Sequence, residues 1–149
     1  MHIAVIIVFT IIVLFISMLA FSWRSDVSAQ EPYKHFLNTP LEIKTISVIK
    51  KDSIGGRFTA CTLSDYHPEQ GEHYETKQVL NVGDTIEFHA AKSFYSMHVG
   101  KTHHLIGKHT LASREVITFE CYLFDGVPMA WETLEEYFKR KKVEVDSIE

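Results

Sequence analysis

Hydrophobic positions are almost unbroken at the start of the chain. From Ile3 to Trp23 the run is interrupted only by Thr10, Ser17 and Ser22. A helix of that length rises about 31 Å, enough for the hydrocarbon core of a bilayer. It lacks the polar face that a helix on a soluble domain carries. Residues 1–23 are therefore predicted to be a transmembrane anchor. A retained anchor is favoured over a cleaved signal, because the run is long and no Lys or Arg precedes it. Val27-Ser28-Ala29, with its small residues, is the point at which cleavage would otherwise fall.

After Trp23 the pattern changes. Residues 24–40 are rich in Ser, Asp, Gln, Glu, Asn and Pro and read as a linker. From Leu41 the apolar positions alternate, which predicts strands. Leu41, Ile43 and Thr45 set one phase and Ile46 and Val48 the other, so a bulge is expected between them. Arg57 to Leu63, Gln78 to Val82, Thr85 to Ala90, Phe94 to Val99, His104 to Thr110 and Ser113 to Phe124 read as further strands. Gly100-Lys101-Thr102 is placed at a hairpin tip. The polar stretch from Ser64 to Glu75 reads as a long loop. Near the end Trp131, Leu134 and Phe138 recur at helical spacing, and Pro128 suits a first turn, so a helix is predicted over 128–142.

The expected fold is an N-terminal transmembrane helix followed by a mostly antiparallel β domain over 41–149. That domain is a small barrel or curved sheet with one C-terminal α-helix.

Composition sharpens this division. The 149 residues are 46% hydrophobic with a formal net charge of −4, and every Lys, Arg, Asp and Glu lies after Trp23. A polytopic channel and a disordered chain are excluded. Arg24 and Lys34 would draw the domain to the cytoplasmic side, but one or two charges carry little weight beside the usual export of such a domain. The expectation is a single-pass inner-membrane protein with a periplasmic domain. Cys61 and Cys121 lie in strand-like segments. They read either as one disulfide or as two buried thiols acting as small apolar residues.

Nine histidines are present, five of them between His89 and His109. His98, His103 and His109 are weak metal candidates, because neighbouring strand positions face opposite ways and no CxxC or HxxxH motif adds ligands. Ser93 and Ser96 lack a nucleophile elbow, and Gly100-Lys101-Thr102 lacks the upstream glycine of a phosphate loop. An enzyme is not expected, nor is any cofactor. Lys139 to Lys142 suits a helix C-terminus, and the acidic balance argues against nucleic acid. Phe94, Tyr95, Met97 and Trp131 near turns are the expected binding surface.

The expected partners are membrane lipid, through the first segment, and another protein. The expected role is interception of an incoming agent, as in superinfection exclusion of phage or immunity to a secreted toxin. The alternative is a structural component of an envelope or secretion complex, and a metal-binding or hydrolytic enzyme ranks below both.

Overall fold

Alternation in the later part of the chain resolves into one large sheet. The computed structural model describes residues 7–13, 15–16, 22–52, 56–66, 74–96, 99–123 and 127–139. Its strands are β1 (Ser22–Asp26), β2 (Leu41–Glu42), β3 (Ser47–Asp52), β4 (Cys61–Asp65), β5 (Tyr74–Leu80), β6 (Thr85–Ile86), β7 (Phe88–Ser96), β8 (Gly100–Thr110) and β9 (Val116–Tyr122). A 3-10 turn spans Tyr33–Phe36. Seven strands are ordered β1-β7-β8-β9-β4-β3-β5, while β2 and β6 pair separately. Neighbours in the large sheet are antiparallel except β4 and β9, which run parallel. Two antiparallel halves thus meet at a parallel seam. Among the described residues the sheet ends at β1 and β5, which do not pair, so it is open and not closed into the expected barrel.

The expected membrane anchor is corrected. Among the described residues no helix is long and apolar enough to cross a membrane. Within the expected span, helix is described at 7–13 and 15–16. Ser22 and Trp23, the last residues of the expected span, belong instead to β1 and pair with Ser96 and Tyr95 of β7. The single-pass inner-membrane assignment, with its periplasmic domain, falls with that helix.

The residues read as a linker lie against the sheet. After β1, Val27 is buried and its N–H bonds to the Ala91 carbonyl. The Ser28 hydroxyl accepts from the Ala91 N–H at 2.9 Å. In the 3-10 turn Tyr33 stacks on His103, and Phe36 meets Trp131 edge-on at 6.1 Å.

The main core covers one face of the sheet. Ile49, Leu63, Leu105, Ile117, Phe119 and Cys121 alternate inward along their strands, as period-two spacing requires. Phe88 packs edge-to-face on Phe119 at 5.7 Å and against Trp131 at 5.0 Å. Gly107 sits opposite Phe88 in β8. A Cβ there would lie 2.5 Å from the Phe119 ring and 2.9 Å from the Glu87 carbonyl. Gly107→Ala is therefore expected to destabilise the fold by about 1–3 kcal/mol through overpacking. Urea denaturation measures this, and an unchanged midpoint would mean that the Phe119 ring yields freely.

The C-terminal helix differs from expectation. Helix is described from 134 to 139, not from Pro128. Thr133 and Glu136 form a reciprocal capping box: the Thr133 N–H donates to the Glu136 carboxylate at 2.7 Å, and the Glu136 N–H donates to Thr133 Oγ1 at 3.2 Å. The expected apolar stripe splits there. Met129, Ala130 and Trp131 enter the core before the helix begins, and the Ala130 carbonyl accepts from Lys44 and Thr45. Leu134 and Phe138 remain exposed. Residues 140–142 lie outside the described residues.

Candidate functional site

The opposite face of the sheet carries the polar chemistry. Register places Arg24, Asp26, Lys92, Phe94, Thr102, His104, Glu120 and Tyr122 on it, across β1, β7, β8 and β9. Strand alternation alone would leave this face in water. Residues 56–59 instead fold over it, ahead of β4.

Glu120 is what holds them there. It is only 2% exposed, and its carboxylate accepts N–H bonds from Arg57 at 2.6 Å, Phe58 at 2.6 Å and Thr59 at 3.0 Å. His104 Nδ1 lies 3.2 Å from Glu120 Oε1. Burial pushes the Glu120 carboxyl up, but the His104 contact and the Arg57 and Phe58 N–H bonds outweigh it and hold its pKa below the ordinary value. Gly56 permits the close approach, since a Cβ there would meet the carboxylate at 2.4 Å.

On the far side of His104, Nε2 lies 3.1 Å from Thr102 Oγ1. That hydroxyl also lies 3.3 Å from the Phe94 carbonyl. Hydroxyl, imidazole and carboxylate therefore stand in one buried row. The ring of Phe58 packs edge-on to His104 at 5.3 Å, and Tyr122 lies 5.1 Å away on the other side.

Above this row the surface is aromatic and cationic. The Arg24 guanidinium lies 5.6 Å from the Phe58 ring centre and the Lys92 ammonium 5.5 Å from the same ring. The Arg57 guanidinium covers Phe94 at 4.9 Å. Asp26, opposite Lys92 in register, feels that charge, although its lowered pKa comes first from bonds to Ser28. Among the described residues neither arginine has a carboxylate within ion-pair distance. Beside Arg57 opens a cleft of about 360 Å³, walled by Gly56, Val99 and Tyr122 and floored by His104 and Glu120.

The surface expected from sequence is dispersed. Phe94 is buried beneath Arg57, Tyr95 points to the opposite face and is 42% exposed, and Trp131 is in the core. Met97 and His98 lie outside the described residues. His103 stacks on Tyr33, and His109 stands six positions further along β8, about 20 Å away. Among the described residues no group of three or more metal-ligating side chains converges. Cys61 and Cys121 are buried free thiols, not a disulfide, and burial pushes Cys121 up to about 12. Their registered partners are Phe119 and Leu63, so they sit diagonally across the seam.

Sequence reasoning missed Glu120, Arg57, Phe58 and Thr102. Glu120 is an acid in the most apolar strand, and Gly55-Gly56 precedes a segment that has to approach a neighbour closely. In comparisons with protein-family models, curated proteins and solved structures, nothing matches this chain.

Proposed function

We propose that this is a non-catalytic protein-binding domain, which blocks an incoming agent by occupying it. Its contact surface is the face around Phe58, Arg24, Arg57 and Lys92. The observation that carries the reading is the placement of Arg57 and Phe58. A buried carboxylate fixes their backbone, so an arginine and an aromatic ring, kinds of side chain enriched at protein interfaces, are held in position before any partner arrives. Immunity to a toxin and exclusion of a phage are jobs that such a domain performs by binding alone.

One observation favours a second reading. Thr102, His104 and Glu120 stand in the order of a hydrolytic triad. Two features oppose it. Thr102 is buried, and its hydroxyl is shared with the Phe94 carbonyl. The N–H groups of residues 57–59, the nearest candidates for an oxyanion site, are already bound to Glu120.

Two variants separate the readings in cells challenged with a panel of phages and secreted toxins. Blocking by contact requires the full chain to protect, Thr102→Val to protect equally, and the double variant Arg24→Glu, Arg57→Glu to lose protection. Loss of protection in a folded Thr102→Val would favour catalysis. Absence of protection by the unaltered chain would overturn the blocking role.

A further inference from the structure

We propose that the face around Phe58 recognises an acidic segment of a partner protein, whose carboxylates seat between Arg24, Arg57 and Lys92. This rests on the binding role given above and names the chemistry of the partner. Three cations converge on two neighbouring rings: Arg24 and Lys92 on Phe58, Arg57 on Phe94. Like charges held this close repel one another. Stacking on a ring offsets part of that repulsion, and an anion placed between them removes the rest.

Among the described residues the nearby carboxylates do not fill this role. Glu120 lies below the cluster and is committed to three N–H donors and His104. Asp26 accepts from the Ser28 N–H at 2.8 Å and stands opposite Lys92 alone. Among the described residues no carboxylate engages either guanidinium group, which leaves both for the paired oxygens of a carboxylate.

The surrounding charge selects the class of partner. The chain has a formal net charge of −4. A long uniform polyanion such as duplex DNA would be repelled by the rest of the surface. A short acidic stretch on a protein meets only the cationic face. The cleft beside Arg57, walled by Val99 and Tyr122, then accepts an apolar side chain flanking the acidic residues.

The test uses the full chain and a fluorescently labelled short polyglutamate peptide, with polylysine, a short DNA duplex and inorganic phosphate as comparisons. Polyglutamate is expected to bind at low salt and to weaken as salt rises. The double variant Arg24→Glu, Arg57→Glu should bind it about tenfold more weakly or worse, with its thermal melting unchanged. If that variant fails to fold, Arg24→Gln with Arg57→Gln replaces it, and the same weakening is required. Lack of polyglutamate binding, indifference to the double variant, or tighter binding of duplex or phosphate each overturns the proposal. The cell assay distinguishes the two claims. If the double variant loses protection while polyglutamate does not bind, the contact surface stands and the acidic partner falls. If protection is unaffected, the surface itself is wrong.

Discussion

Replacing Glu120 by Gln is expected to destabilise the protein by about 3 kcal/mol, although the side chain keeps its size. The carboxylate accepts from three N–H groups and touches an imidazole. A carboxamide offers one acceptor oxygen and turns an N–H2 donor toward donors that have no other partner. Buried donors left unmatched are what make such a change large. Chemical denaturation measures the loss, and a change below about 0.5 kcal/mol, the range of an ordinary surface substitution, would sink the interpretation.

The same residue sets an acid limit. Its pKa in the folded state lies below the ordinary carboxylate value of 4.5. Its stabilising contribution is therefore complete above that value and is lost as pH falls through the lower, folded-state value. The unaltered chain should lose stability steeply below pH 4.5, and Glu120→Gln should show a shallower decline over the same range.

Phe119→Ala is expected to remove about 3–5 kcal/mol. The ring is fully buried, holds Phe88 in edge-to-face contact and fills the space over Gly107. Truncation leaves a cavity that the backbone of a central strand closes poorly. The contact with Gly107 adds a second, sharper expectation. Gly107→Ala in a Phe119→Leu background should lose less than it does alone, because the smaller side chain leaves room for the new methyl. A double-mutant cycle by urea denaturation reads that coupling, and strict additivity would show that the methyl clashes with the Glu87 carbonyl rather than the ring.

These two neighbouring residues illustrate what the sequence discloses. Phe119 was legible, because Ile117, Phe119 and Cys121 alternate in phase and that phase is the core. Glu120 was not. It lies on the opposite phase, where an acid reads as solvated, and only the return of residues 56–59 buries it. The segment itself misled for a physical reason. Arg57-Phe58-Thr59-Ala60 alternates into Cys61 and Leu63 and so reads as a longer β4, yet the N–H groups of Arg57, Phe58 and Thr59 are spent on a side chain instead of a ladder.

β1 was hidden differently. All five of its residues are exposed, so nothing in its hydrophobicity marks a strand that exists by backbone pairing to β7. Hydropathy likewise carries the first apolar run through Ser22 and Trp23, whereas those two residues pair with β7. The late helix was read from an apolar stripe, whereas Thr133 and Glu136 carried the better signal of where it starts.

The parallel seam has a mechanical meaning. β4 and β9 share only three registered residue pairs, Cys61 with Phe119, Thr62 with Glu120 and Leu63 with Cys121. Each half of the sheet is otherwise tied by antiparallel pairing, between strands close in sequence save for β1, whose partners in β7 lie further along the chain than partners across the seam. Joining the halves is a long-range step of assembly, as is the docking of β1 on β7. Glu120 belongs to one half, and the backbone it grips leads into the first strand of the seam from the other. It acts as a rivet through the joint. Pulling the two halves apart means first extracting a buried carboxylate from three hydrogen bonds, and the surface that carries Arg57 and Phe58 comes away in the same motion.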